Sequence, residues 1–135
     1  MEIVFPLHLN PRVKEPATVL LSHLPNVHLF GPLDYPHLLW LMKKSYLILT
    51  DSGGIQEEAP TLGKPVLVLR EVTERTECIE AGLSLLVGTD DTRIFSEASR
   101  LLSNHQDYER MALAQNPYGD GTASNQIVKI VQSLD

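Results

Sequence analysis

The chain of 135 residues carries 11 lysines and arginines against 17 aspartates and glutamates, and no basic run offsets the net charge of −6, which speaks against a nucleic-acid binder. Hydrophobic content of 43% with 21% charge is that of an ordinary soluble protein, and the length suits one domain with a buried core. No apolar stretch is long enough to span a bilayer, and the lone cysteine, Cys78, excludes an internal disulfide and fits a reducing compartment.

Met1-Glu2-Ile3 runs directly into the first strand pattern, so no signal peptide and a cytoplasmic protein are expected. Ile3 to Leu7 reads as that strand, closed by His8-Leu-Asn10-Pro11, a turn signature with proline near a helix start. Residues 12 to 24 carry a helical pattern through Val13, Val19, Leu20 and Leu24, and Asn26 to Phe30 reads as a second strand ended by Gly31-Pro32. Asp34 caps a helix with Leu38, Leu39, Leu41 and Met42 on its apolar side, ended by Lys43-Lys44. Tyr46 to Leu49 is a charge-free run that reads as a central strand buried on both faces. A helix follows the Ser52-Gly53-Gly54 turn and stops near Gly63, a plausible C′ residue.

Pro65 to Leu69 is a fourth strand, Arg70 to Cys78 a polar loop entering a short helix, and Ser84 to Gly88 a fifth strand. Asp90-Asp91-Thr92 caps a long helix with Ile94, Phe95, Ala98, Leu101 and Leu102 on one face. A short helix near 106–112, the turn cluster Asn116 to Gly121 and a last helix from Ala123 to Leu134 complete the chain. This alternation predicts an α/β domain over residues 1–135, a Rossmann-like open parallel sheet with helices on both faces. Ligands of such sheets bind beyond the carboxyl ends of the strands, where His8, Gly31-Pro32, Ser52-Gly53-Gly54 and Arg70 to Glu77 fall.

The stretch Tyr46 to Pro60 carries the most chemistry. Thr50, Asp51 and Ser52 each offer an N-cap, and two glycines open the helix, so free N–H groups and the positive end of the helix dipole make an anion site. The plain reading is a capped strand-to-helix turn. Glu58 adds to it, roughly one and a half helical turns beyond Ser52 and able to accept from a pair of sugar hydroxyls. Phosphate at the turn with ribose at a nearby carboxylate is how a nucleotide is held. Glu57 reads as a helix-start charge facing solvent, and Cys78 as a small buried hydrophobe.

The run Thr50-Asp-Ser-Gly-Gly-Ile-Gln-Glu-Glu-Ala-Pro60, then Leu62 to Arg70 and Thr73-Glu-Arg75, resembles the non-hydrolysing UDP-N-acetylglucosamine 2-epimerases. Asn116 to Gly121 with Ala123-Ser124 is similar to that family's closing motif, and Phe5 to Pro11 and Pro32 to Tyr35 match in place and order. The resemblance covers nearly the whole chain but only the second half of the family's protein. It implies one half of a two-domain GT-B-type architecture, the carboxyl-terminal UDP-binding domain, whose partners are UDP-N-acetylglucosamine or UDP and a missing amino-terminal domain. It also implies a homodimer at full length, no nucleic acid or membrane partner, and no metal or redox cofactor.

By the same resemblance Ser52 and Gly53 hold the diphosphate, Gly54 belongs to the same UDP-binding turn, Glu58 holds the ribose hydroxyls, and Arg75 binds ligand. His8, which otherwise reads as a structural histidine bonding local backbone, becomes a ligand contact. The implied chemistry is elimination of UDP to a glucal and re-addition with inversion at the sugar's second carbon, with the proton-transfer carboxylates mostly in the missing half. Two positions depart from the family: Leu38 stands near its usual aromatic beside the uracil, and Thr76 replaces a common proline. Two other readings stay open, a GT-B glycosyltransferase donor domain and a non-catalytic nucleotide-binding module.

Overall fold

A computed structural model describes residues 1–134. They divide into two compact units, Met1–Leu41 and Met42–Asp135. In the first, β1 (Ile3–Pro6) pairs in parallel with β2 (Val27–Phe30), Ile3 opposite Val27 and Pro6 opposite Phe30. Between them runs α1 (Pro11–Leu21), started as its sequence implies: the Asn10 Oδ1 accepts from the Arg12 N–H at 3.0 Å, and proline occupies the first turn. Asp34 likewise accepts from the His37 N–H at 3.1 Å and opens α2 (Tyr35–Lys44), which carries the chain into the second unit.

The second unit holds a parallel sheet of β3 (Ile48–Thr50), β4 (Val66–Val68) and β5 (Ser84–Leu86), in that order. The helices are α3 (Gly53–Thr61), α4 (Thr76–Glu80), α5 (Asp91–Ser103), α6 (His105–Ala112) and α7 (Ala123–Gln132). Helix α3 lies against β3 and β4, α4 against β5, and α5 against β4. The α/β class with parallel strands and helices on both sides is the one the alternation predicts. The hydrogen-bonded strands nevertheless form two sets, one in each unit, instead of one continuous ladder.

The centre of the second sheet is not where the apolar run suggests. Strand β4 is the buried one, with Val66, Leu67 and Val68 at 0% exposure, whereas β3 is the edge of its three-stranded ladder and leaves Leu49 45% exposed. An apolar run records affinity for a core, not the number of neighbouring strands. Strand β3 also starts at Ile48, because Tyr46 is engaged elsewhere: its ring stacks on Tyr108 at 4.0 Å and its carbonyl accepts from the Tyr108 hydroxyl at 3.0 Å.

Leu67, Val87, Leu101 and Met111 form the core cluster, packed by Leu47, Leu69, Leu85, Ile94 and Ala98. Each fully buried leucine there contributes roughly 1.5–3 kcal/mol of transfer free energy. At the end of α3, Gly63 takes φ +66°, the left-handed C′ conformation that glycine adopts without Cβ strain. Helix α7 leaves Ile127, Val128, Ile130 and Val131 exposed. Among the described residues no helix is long and apolar enough to cross a membrane.

Candidate functional site

The turn between β3 and α3 is built so that the start of the helix stays open. The Ser52 N–H donates to the Thr50 Oγ1 at 3.0 Å, which folds the chain sharply after β3. Of three possible N-caps it is Ser52 that sits at the cap position, in extended conformation, yet its hydroxyl makes no capping hydrogen bond. The Ser52 carbonyl instead accepts from the Gln56 backbone N–H at 3.3 Å. Helix α3 therefore starts without a capping hydrogen bond from Ser52, at the positive end of its dipole.

Each glycine of the pair faces one charged side chain. A β-carbon on Gly53 would stand 3.2 Å from the Arg75 guanidinium carbon and 3.4 Å from Nη2. A β-carbon on Gly54 would stand 3.9 Å from the Glu58 Oε1, so the half-buried Glu58 carboxylate folds back along the helix toward the turn. The structure thus brings Ser52, Gly53, Gly54, Glu58 and Arg75 together. A guanidinium lies beside a helix start, a pairing whose chemistry suits an anion, while a carboxylate one turn along offers acceptors.

Arg75 has partners of its own. Its Nε donates to the Glu57 Oε1 at 2.9 Å, and its Nη1 donates to Glu74. The bond to Glu57, with the charges of Glu74 and Glu57, holds the guanidinium above its usual pKa and so always cationic. Glu57 stays exposed, as its position suggests, and it also pairs with Arg75 from 18 residues along the chain. Glu74 sits below the ordinary carboxylate range, chiefly through a hydrogen bond from its own backbone, with Arg75 and Arg70 adding to it.

Two residues that sequence reasoning passed over hold this arrangement. Gln56 is 1% exposed and Thr73 is 7% exposed. The Thr73 hydroxyl donates to the Gln56 Oε1 at 2.7 Å and accepts from the Arg75 backbone N–H at 3.2 Å. The available signal was a glutamine on the side of α3 that also carries Ala59 and Pro60, since a buried amide demands partners.

The Asn116 to Gly121 cluster closes the far side. The Asn116 Nδ2 donates to the Thr61 Oγ1 at 2.9 Å at the end of α3, and Tyr118 interacts with Cys78 of α4. Tyr118 is 39% exposed, yet partial desolvation, then its interaction with Cys78, pushes its pKa up to about 12. Burial likewise pushes the Cys78 thiol up. Cys78 is buried, as expected.

His8 lies in the first unit, where its Nδ1 accepts from the Asn10 N–H at 3.1 Å, the local backbone bond its turn suggests. It lines a cleft of about 310 Å³ with Lys14, Gly31 and Pro32 at the carboxyl ends of β1 and β2. Among the described residues no group of three or more histidines, cysteines or acids is placed to hold a metal ion.

Known proteins match this chain along its length. The family model described as UDP-N-acetylglucosamine 2-epimerase matches residues 1–132. The UDP-N-acetylglucosamine 2-epimerase of Escherichia coli K12 is 53% identical over 133 residues, which are 98% of this chain and 35% of that protein. The crystal structure of UDP-GlcNAc 2-epimerase from Neisseria meningitidis bound to UDP-GlcNAc superposes with TM-score 0.91 at 50% identity, over 98% of this chain and 36% of that one. A co-structure of S. aureus MnaA with UDP gives TM-score 0.90 at 47% identity, over 97% and 36%. The chain spans about a third of the length of the curated relatives it matches. A match of this extent and identity settles kinship: the chain belongs to the UDP-N-acetylglucosamine 2-epimerase family.

Proposed function

We propose that the chain is the carboxyl-terminal, UDP-binding part of a two-domain GT-B-type enzyme that interconverts UDP-N-acetylglucosamine and its manno epimer. The observation that carries the reading is the Arg75 guanidinium against Gly53 at the uncapped start of α3. The diphosphate takes the N–H groups of Gly53 and Gly54, the Ser52 hydroxyl and Arg75, while the ribose hydroxyls donate to Glu58. His8 is assigned to ligand contact, supported by the cleft it lines. Relatives solved with UDP-GlcNAc or UDP agree with that ligand class.

In the reaction this part of the enzyme binds and stabilises the leaving group. Charge grows on the β-phosphate as the bond to the sugar breaks, and a fixed guanidinium with oriented N–H groups stabilises it. Moving the proton at the sugar's second carbon needs groups on both faces of the ring. The nearby carboxylates Glu57, Glu58 and Glu74 belong to the nucleotide side, so the proton-transfer groups belong to the remainder of the enzyme. No metal or redox cofactor enters, and the full enzyme is read as a cytoplasmic homodimer.

The test is turnover of UDP-N-acetylglucosamine by this chain, alone and joined to the amino-terminal part of a relative. The chain alone should give no manno epimer, the joined protein should, and Arg75→Ala should abolish that activity. Epimerisation by the chain alone, unchanged by Arg75→Ala, would overturn the reading.

A further inference from the structure

We propose that Gln56 and Thr73 are positioning residues for the anion site, a buried bridge that sets Arg75 and the Ser52-Gly53-Gly54 turn in one frame. The inference rests on the UDP-binding reading above and goes beyond it, since neither side chain is assigned to the ligand. Gln56 spends both ends of its amide: Nε2 donates to the Ser52 carbonyl at 3.3 Å, and Oε1 accepts from the Thr73 hydroxyl at 2.7 Å. Thr73 passes the connection on by accepting from the Arg75 N–H at 3.2 Å. Three hydrogen bonds therefore run from the cap residue of α3 to the backbone of Arg75, through side chains 1% and 7% exposed.

The bridge has consequences at both ends. The Ser52 carbonyl receives the Gln56 side chain as well as its backbone N–H, so it is drawn toward the core. At the other end, Arg75 is otherwise held through its guanidinium by Glu57 and Glu74, whose side chains are 47% and 61% exposed. Such surface pairs hold geometry weakly. An arriving diphosphate competes with those carboxylates for the guanidinium, and once they are displaced only the backbone anchor still fixes where Arg75 starts. Buried, fully satisfied polar groups are suited to that role, because leaving any one unpaired is costly.

The test compares Thr73→Val, of the same shape without a hydroxyl, with Thr73→Ser, which restores it. Inorganic diphosphate and UDP are titrated by calorimetry, and exchange of the Arg75 backbone amide is followed by NMR. Thr73→Val should weaken both ligands about tenfold and speed Arg75 exchange, while Thr73→Ser stays within about twofold of the parent. On an Arg75→Ala background Thr73→Val should cost clearly less affinity than in the parent; a fully additive loss would show a merely structural residue and overturn the inference. If Thr73→Val does not fold, Gln56→Met takes its place with the same expected outcomes. If the parent chain binds neither ligand, the UDP reading fails, and the bridge is judged on NMR alone. Faster Arg75 exchange with shifted Gly53 and Gly54 amides in Thr73→Val, but not in Thr73→Ser, sustains it, and unchanged spectra overturn it.

Discussion

Gly53 is the residue that gives Arg75 its place: a β-carbon there would stand 3.2 Å from the guanidinium carbon. Its backbone is not in the left-handed region, so the requirement for glycine comes from this approach and not from φ. Alanine should suit the helix itself, by about 0.5–1 kcal/mol over glycine in a helix interior. Gly53→Ala should therefore leave thermal stability unchanged or slightly raised. Affinity for inorganic diphosphate and UDP should fall about tenfold, since the guanidinium must move by a few tenths of an ångström. Calorimetry with both ligands and a melting curve check it, and loss of stability with intact binding would reverse the argument.

On the proposed function, Glu58 should discriminate between two kinds of ligand. A carboxylate that accepts from ribose hydroxyls makes charge-assisted bonds worth about 1.5–3 kcal/mol each. Glu58→Gln should weaken UDP by about tenfold or more while barely affecting inorganic diphosphate, which has no ribose. Equal losses for both ligands would mean that Glu58 acts on α3 and not on the ribose.

What was legible beforehand follows from locality. Asp34 and Asp90 were readable as caps because a cap needs only a side chain and N–H groups two or three residues on. Gly63 was readable as a C′ residue for the same reason. The five candidate residues Ser52, Gly53, Gly54, Glu58 and Arg75 were singled out by motif, and the fold sets them together. Pairings across distant segments left no local trace. Glu57 meets Arg75 across 18 positions and Gln56 meets Thr73 across 17, and nothing in the spacing of α3 signals either. The edge position of β3 was hidden for a related reason, since strand order is decided by crossovers and not by the composition of one strand.

The Tyr118 to Cys78 contact makes a pH prediction. The folded-state pKa of Tyr118 is raised to about 12 from an ordinary 10, first by partial desolvation. A raised value means that the stability tied to the neutral phenol is complete below about pH 10, where the unfolded chain keeps its proton too. That stability is lost as pH climbs from there toward 12. Urea unfolding between about pH 9 and 11.5 should show a decline for the parent that is smaller for Tyr118→Phe. Identical pH dependence in the two proteins would place the Tyr118 hydroxyl in solvent.

Where UDP meets this chain is the most direct test of a binding site at the start of α3. In a two-dimensional NMR titration, UDP at up to millimolar concentration should shift the amides of Ser52, Gly53, Gly54 and Glu58 and the Arg75 side-chain Nε–H. The ion pair to Glu57 should give way to the diphosphate, and binding should be weak, because one wall of a two-domain cleft leaves much of the ligand in water. Saturable shifts at those positions, lost in Arg75→Ala, are the predicted result. No shift between residues 50 and 58 at millimolar UDP, or shifts confined to other parts of the chain, would contradict it.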